Sequence, residues 1–373
     1  MQKKPSESWN GIKMPQKIAV VTGGGDCPGL NAVIRATAKA AMTRGWQAIG
    51  IIGGYEGLLS PQRTIALEGA VLNGLLIRGG TILGTANQGQ FSAKVGHGQL
   101  RQLPRDLLDD TKRGCEELGI SGVVSIGGDG SLSIAQQLFE HGIPIIGVPK
   151  TIDNDLGCTV MTFGFDSAVA CATDALDRLH STAESHNRVM VLEVMGRYAG
   201  WIAVYAGLAG GADVILIPEI PFSYESVCRK IQQRTDAGKA FSIVVVAEGA
   251  KPAGGDFVTS AKAPTEREAR LGGIGQQVAN EIQARSGKET RCVVLGHLQR
   301  GGSPTNFDRA LCTAFGAKAI ELIAEKNFGR MVTYTGHGID SVTIAEATGQ
   351  LRTVPLDGGF VQSARALGIC LGD

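Results

Sequence analysis

Short apolar runs alternate with amphipathic stretches along most of this 373-residue chain. Apolar runs of four to six residues, rich in β-branched side chains, are typical of buried strands. They lie at 18–22, 48–52, 123–126, 143–148, 189–194, 214–217, 243–247 and 292–295. Helical patterns occupy 31–44, 107–118, 131–141, 167–182, 198–209 and 306–324, and a glycine- and proline-rich stretch at 250–266 is predicted to be a surface loop. This alternation predicts an α/β fold whose parallel sheets carry helices on both faces.

Composition narrows the class of protein. The length predicts two domains, and 36 basic against 35 acidic residues leave a net charge of +1, without the basic surface of a nucleic-acid binder. The longest apolar stretch, 202–217, contains Asp213 and is too short to span a membrane. The eight cysteines form no C-x-x-C pair, and the first 16 residues lack the apolar core of a signal peptide. We therefore expect a cytoplasmic protein with a flexible leader at 1–16.

Two glycine-rich turns follow predicted strands. Residues 23–29 (GGGDCPG) come after the first run, and residues 127–131 (GGDGS) come after the third. In parallel sheets ligands bind at the carboxyl ends of the strands, where glycine amides and a helix N-terminus attract phosphate. Asp129 is a candidate Mg²⁺ ligand. Each turn alone is also compatible with a tight connection or a helix cap, but two of them on separate strands favour phosphate binding.

A pair of carboxylates follows the fourth predicted strand. Asp153 and Asp155 stand two residues apart, beside Lys150 and Thr151. Phosphoryl transfer needs one carboxylate to accept the proton of the attacking hydroxyl and another near the metal. A solvated Asx turn is the structural alternative, and we consider it the weaker one.

Later strand ends supply positive charge. Arg188, Arg197, Arg291, His297 and Arg300 all lie at or just beside such ends. Arginine binds phosphate in a bidentate manner. Any one of these arginines could form an ordinary surface ion pair, but four of them facing acidic loops indicate an anion site. The residue types thus predict a kinase for a small phosphorylated substrate.

Taken together, these strings resemble the bacterial-type 6-phosphofructokinase family. The matching pieces run in family order over about 17–325: GGGDCPGLN (23–31), GGDGS (127–131), PKTIDND (149–155), MGRYAG (195–200), AEG (247–249) and ETRCVVLGHLQRGGSP (289–304). The resemblance implies two Rossmann-like three-layer α/β/α lobes with the active site in the cleft between them. It implies a donor-phosphate lobe of 17–164 plus about 299–350, and a fructose 6-phosphate lobe of 165–298 plus about 351–373.

The resemblance also implies a role for each matching residue. The catalytic set is Asp153 as general base with Thr151, Asp155 and Arg197. Contacts to fructose 6-phosphate are implied for Arg188, Met195, Gly196, Arg197, Glu248, Arg291, His297 and Arg300, of which Arg188 and Arg291 would reach across a subunit boundary in a homotetramer. Donor contacts are implied for Gly25, Tyr55, Asn87, Gly128, Asp129, Gly130, Ser131 and Lys150, and a Mg²⁺ contact for Asp129.

The departures from the family pattern cluster around the phosphoryl donor. Asn87 and Ser92 stand where many members carry arginine, and Lys150 resembles the lysine of pyrophosphate-dependent relatives. Gly130 instead resembles the nucleotide users. We therefore expect ATP as the donor, with ADP or pyrophosphate as alternatives. Two remoter alternatives are another kinase with a GGDG turn, acting on NAD or a lipid, and a sugar-phosphate sensor without turnover.

Overall fold

The computed structural model describes residues 16–60, 62–85, 89–91, 94–95, 99–100, 102–261, 270–349 and 351–373. The strands are β1 (Lys17–Thr22), β2 (Gln47–Ile51), β3 (Thr64–Ala66), β4 (Lys94–Val95), β5 (Gln99–Leu100), β6 (Ile120–Gly127), β7 (Ile145–Pro149), β8 (Val189–Val194), β9 (Val214–Leu216), β10 (Ser242–Ala247), β11 (Thr259–Ala261), β12 (Arg270–Leu271), β13 (Thr290–Val294), β14 (Arg330–Tyr334) and β15 (Ile339–Thr343). The α-helices are α1 (Leu30–Met42), α2 (Arg105–Glu117), α3 (Asp129–Glu140), α4 (Phe165–His186), α5 (Trp201–Ala209), α6 (Tyr224–Asp236), α7 (Ile274–Ser286), α8 (Asn306–Ala324), α9 (Ile344–Ala347) and α10 (Gly359–Ala366). Short 3-10 helices cover Gly54–Leu59, Gly69–Leu72, Leu75–Ile77 and Gly296–Arg300.

Two sheets organise the described residues. The larger has the order β15-β14-β7-β6-β1-β2-β3, with antiparallel edges at β15 and β3 and parallel pairing between the other neighbours. The smaller has the order β13-β8-β10-β9 and is parallel throughout. The predicted α/β class is therefore confirmed, and every strand and helix named from the sequence is present.

Helices cover both faces of each sheet, because successive strand residues point to opposite sides. In β1, Ile18 and Val20 pack with α1 and α8, whereas Ala19 and Val21 pack with α2 and α3. In β10 the same alternation holds: residues 243 and 245 pack with α4 and α5, and residues 244 and 246 pack with α6 and α7. Both sheets are thus the middle layer of a three-layer α/β/α arrangement.

Some elements differ from the sequence-based expectations. The stretch predicted as one long loop, 250–266, includes β11, which pairs antiparallel with β12; residues 262–269 lie outside the described part. Helices α6 and α7 and strands β14 and β15 were not predicted. The leader predicted at 1–16 lies outside the described residues except for residue 16. Within the described chain, no helix has the length and apolar character needed to cross a bilayer.

Candidate active site

The turn between β1 and α1 is the first of the two glycine-rich turns. Its backbone adopts left-handed conformations at Gly24 (φ 75°) and Gly29 (φ 110°), which side chains other than glycine seldom adopt. Two basic side chains donate to its backbone carbonyl groups. The amine of Lys150 donates to the carbonyl oxygen of Gly25, and Nη1 of Arg300 donates to the backbone carbonyl oxygen of Asp26 at 3.3 Å. The predicted donor residue Gly25 and the predicted sugar residue Arg300 are therefore neighbours.

The second turn connects β6 to α3. Gly128 precedes the first residue of the helix, Asp129, and Gly130 lies in its first turn. A Cβ added at Gly128 would lie 3.1 Å from the carbonyl oxygen of Lys150, a tight contact that favours glycine at this position. The hydroxyl of Ser131 faces the first turn, since a Cβ added at Gly24 would lie 3.3 Å from it. The two glycine-rich turns are thus side by side.

Tyr55 lies behind this second turn. Its ring is 4% exposed, and its hydroxyl donates to the carbonyl oxygen of Ser131 at 2.8 Å and pairs with the hydroxyl of Ser125 at 2.5 Å. Burial raises the pKa of this phenol. The structure therefore places Tyr55 in the wall that supports Ser131, and a direct contact with the donor stays a prediction.

The loop after β7 carries the two predicted carboxylates. Its turn is closed by the hydroxyl of Thr151, which accepts the amide of Asp153 at 3.1 Å. Asn154 has a left-handed backbone (φ 52°), and its side-chain oxygen accepts the amide of Thr162 at 3.0 Å. Asp153 is 5% exposed, and its Oδ1 atom is buried without a hydrogen-bond partner among the described residues. Such an atom is costly unless a ligand uses it, so Asp153 is prepared to accept a proton from a bound group. Asp155 follows in the same loop and is partly exposed.

Lys150 begins this loop and is itself buried, at 4% exposure. Burial lowers the pKa of its amine, while the nearby Asp153 raises it. The amine bonds to the first glycine-rich turn and so connects that turn to the carboxylate loop.

The ends of β8 and β10 supply the predicted sugar contacts. Arg197 has a left-handed backbone (φ 52°), and its amide donates to Oε1 of Glu248 at 3.0 Å. Burial, together with a smaller contribution from the negative charge of Asp153, raises the pKa of Glu248 to about 7. Met195 donates its amide to Oε1 of Gln299 at 2.9 Å, and Gly196 follows it in an extended left-handed geometry (φ 144°).

The two arginines expected to reach another subunit share one carboxylate. The side chain of Glu289 lies 2.8 Å from Nε of Arg188 and accepts a hydrogen bond from Arg291 at 2.5 Å. These two cations lower the pKa of Glu289. His297, in the 3-10 segment Gly296–Arg300, is exposed to solvent.

Two supporting residues were missed by sequence reasoning. Gln299 is fully buried and fixes Met195, and Glu289 holds the two arginines. Both lie inside the sequence string at 289–304, next to residues that were predicted to bind the substrate. That position was the signal that could have identified them. Asn87, predicted to contact the donor, and Ser92 lie outside the described residues.

With this geometry in view, the comparison with known families is decisive. The family model described as "Phosphofructokinase" matches residues 17–323, and the chain belongs to that family. It is 53% identical to the ATP-dependent 6-phosphofructokinase of Chloroflexus aggregans, over 96% of this chain and 98% of the relative. It is 47% identical to the pyrophosphate–fructose 6-phosphate 1-phosphotransferase of Amycolatopsis methanolica, over 91% of this chain and 96% of the relative.

A solved structure of phosphofructokinase from Saccharomyces cerevisiae has the same fold. It aligns with a TM-score of 0.76 and 30% identity, over 89% of this chain. This chain spans 45% of the yeast chain. The two-sheet architecture is therefore that of the phosphofructokinases.

Proposed function

We propose that this chain is a 6-phosphofructokinase, which transfers the terminal phosphoryl group of a nucleotide to O1 of fructose 6-phosphate and gives fructose 1,6-bisphosphate in glycolysis. The observation that carries the proposal is the buried Oδ1 of Asp153, which has no hydrogen-bond partner in the described part of the chain. Asp153 lies in a loop between the glycine-rich turns and the Arg197–Glu248 pair. A carboxylate without a partner is suited to accept the proton of an attacking hydroxyl.

The sugar end of the proposed reaction uses the second sheet. Glu248 accepts the backbone amide of Arg197 at Oε1 and a further backbone hydrogen bond from Gly196. A carboxylate offers about four lone-pair sites, so it can still accept from a sugar hydroxyl. Met195, Gly196 and Arg197 line the same strand end, while His297 and Arg300 supply donors for the 6-phosphate. Arginine binds phosphate in a bidentate manner, and a ring N–H of histidine can donate a further hydrogen bond.

The donor end uses the two glycine-rich turns. Their amides and the N-terminus of α3 favour phosphate oxygens. Mg²⁺ is usually held by one or two carboxylates together with substrate phosphates, and no cluster of three or more His, Cys, Asp or Glu is needed or found in the described part of the chain. Asp129, the first residue of α3 beside the two turns, is the carboxylate that would hold an ion shared with the donor. When bound, that ion would neutralise charge on the transferred phosphoryl group.

We place ATP first as the donor. Gly130 carries no side chain and so leaves room for the inner phosphate and ribose of a nucleotide. The amine of Lys150 donates to the carbonyl oxygen of Gly25, so one of its hydrogens is used within the protein and not by a donor phosphate. The relative with 53% identity is named for ATP and the one with 47% identity for pyrophosphate. ADP and pyrophosphate remain the alternatives.

We further propose that the enzyme is a cytoplasmic homotetramer with two lobes bounded as the sequence analysis expects. All eight cysteines are free thiols, which suits a reducing compartment. Strand β13 and the segment after it expose Arg291, Val294 and Leu298, and arginine beside exposed apolar side chains is typical of a subunit interface. Light scattering of the purified chain should then give four times the protomer mass, whereas a protomer mass would contradict it.

The test of the function compares wild-type protein with Asp153→Asn. With ATP, Mg²⁺ and fructose 6-phosphate, we expect fructose 1,6-bisphosphate from the wild type and a turnover number lowered by ~10²-fold or more in the variant, because a general base is lost. Binding of fructose 6-phosphate should stay within about threefold. The matched control, Asp174→Asn, changes a solvent-exposed carboxylate paired with Arg178 and should leave turnover unchanged.

Three outcomes would contradict the assignment. Unchanged turnover in Asp153→Asn would refute the role of that residue. Phosphorylation of NAD or a lipid with no reaction of fructose 6-phosphate would move the chain to another GGDG kinase, and binding of the sugar without turnover would make it a sensor.

A further inference from the structure

The segment after β15 returns to the carboxylate loop. Leu351 forms an isolated antiparallel bridge with Leu156. The backbone amide of Arg352 donates to the carbonyl oxygen of Asp155 at 2.9 Å, and its Nη1 donates to the carbonyl oxygen of Asn154 at 3.3 Å. Both carbonyls of the residues after Asp153 are therefore held by one arginine.

The same arginine also contacts helix α5, which packs against the second sheet. Its guanidinium carbon lies 4.3 Å from the centroid of the Trp201 ring, and the indole nitrogen of Trp201 donates to the carbonyl oxygen of Arg352 at 3.0 Å. Two residues on, Val354 donates its amide to Oε1 of Glu219, which also accepts from Gly200. Trp201 and Gly200 begin α5, directly after the Arg197 turn.

The carboxylate loop needs such support. Asn154 holds a left-handed backbone that costs a residue other than glycine about 1 kcal/mol or more. Thr162 restrains it from within the loop, through its amide and the side-chain oxygen of Asn154. The hold on the following carbonyl groups comes from Arg352, more than 190 residues away.

We propose that Arg352 is a positioning residue for Asp153, and that it couples the carboxylate loop to the strand end that carries Arg197. This inference rests on the proposed function and extends it to a residue of the C-terminal segment. The planar guanidinium is suited to the task, because it stacks on an indole while donating in its own plane. Displacement of a catalytic group by about 1 Å costs up to ~10²-fold in rate. The proposed effect of Arg352 is therefore on turnover more than on sugar binding.

The test compares Arg352→Ala and Arg352→Lys with the matched control Arg365→Ala, in the full-length protein. Arg365 lies in the same C-terminal segment and pairs with Asp373 on the surface. We expect the turnover number of Arg352→Ala to fall by roughly 10- to 100-fold, with KM for fructose 6-phosphate within about threefold. Arg352→Lys, which keeps the charge, should recover part of the rate, and Arg365→Ala should match wild type.

Two further readouts separate positioning from a purely structural role. Guanidinium ion at low, non-denaturing concentration should raise the turnover of Arg352→Ala and leave the wild type unchanged. Amide hydrogen exchange in residues 153–156 should be faster in Arg352→Ala than in the control. A turnover number within twofold of wild type would overturn the proposal, as would a loss without guanidinium rescue and with unchanged exchange in the loop. If the wild type makes no product, the proposed function fails, and exchange alone then decides whether Arg352 holds the loop.

Discussion

Asp153 and Glu248 are the two carboxylates on which the proposed chemistry depends, and they do different work. Among the residues that the structure describes, one oxygen of Asp153 has no hydrogen-bond partner, whereas Glu248 accepts the amide of Arg197. The negative charge of Asp153 also raises the pKa of Glu248, so the two groups are electrostatically linked. The proton-accepting group thus lies within electrostatic reach of the proposed sugar site.

The raised pKa of Glu248 predicts a dependence of stability on pH. Between the ordinary glutamate value and about 7, the native state binds more protons at Glu248 than the unfolded state does. The free energy of unfolding contributed by this group therefore falls as pH rises through that window. Glu248→Gln cannot titrate and keeps an oxygen for the amide of Arg197. We expect the free energy of unfolding of Glu248→Gln, measured relative to wild type, to be roughly 2 kcal/mol higher at pH 8 than at pH 5.

Urea unfolding at the two pH values measures this difference. Glu225→Gln, on an exposed carboxylate of α6, is the control and should show no such gain. An equal free-energy difference between Glu248→Gln and wild type at both pH values would mean that the pKa of Glu248 is not raised.

At the scale of elements, the residue types in the turn from β1 to α1 are determined by how closely other segments of the chain pack against it. A Cβ added at Gly29 would lie 2.7 Å from the sulfur of Cys312 and 2.8 Å from the ring of Phe163. The backbone there is also left-handed (φ 110°). Close packing and backbone conformation both require glycine, so the turn cannot vary without moving α8.

Gly29→Ala should therefore destabilise the protein by about 3 kcal/mol, combining backbone strain with overpacking. The matched control is Gly69→Ala, which has a left-handed backbone (φ 54°) but no atom within 4 Å of the added Cβ. That control should cost about 1 kcal/mol. Thermal or urea unfolding checks both, and equal losses would show that packing at Gly29 does not matter.

Most of the parallel strands were predictable because they are buried and therefore form continuous apolar runs. Their covering helices were predictable from the helical spacing of apolar residues. The strand Val189–Val194 is an example, with every residue buried. Helix α6 was missed because it buries only Val227 and Ile231 in a mostly polar sequence. Strands β14 and β15 were missed because polar residues interrupt their short apolar runs, as in Arg330–Tyr334 (RMVTY) and Ile339–Thr343 (IDSVT).

The candidate site was predictable to the extent that its chemistry lies in loops at strand ends. The glycine-rich turns, Asp153 and Glu248 were named from the sequence, and the structure brings them together. Two contacts could not be predicted, because they depend on the direction of side chains. They are the hydrogen bond from Lys150 to Gly25 and the pairing of Glu289 with two arginines. Arg352 left no local signal, since its partners lie in distant parts of the chain.

At the scale of the whole molecule, the arrangement joins two sheets around one set of loops. The first sheet contributes both glycine-rich turns and the carboxylate loop, and the second contributes the Arg197 turn and Glu248. The C-terminal segment runs between the two sheets and lies beside β9 at its end, where the backbone of Cys370 forms an isolated parallel β-bridge with Val214. Donor and acceptor groups thus come from different sheets, which suits a two-substrate transfer.

The most direct test of this account is the formation of fructose 1,6-bisphosphate from fructose 6-phosphate and Mg²⁺, with ATP, ADP and pyrophosphate supplied separately. We predict product with ATP and turnover at least tenfold lower with the other two. Preferred use of ADP or pyrophosphate would keep the acceptor chemistry but overturn the choice of donor. No product with any of the three would contradict the central claim.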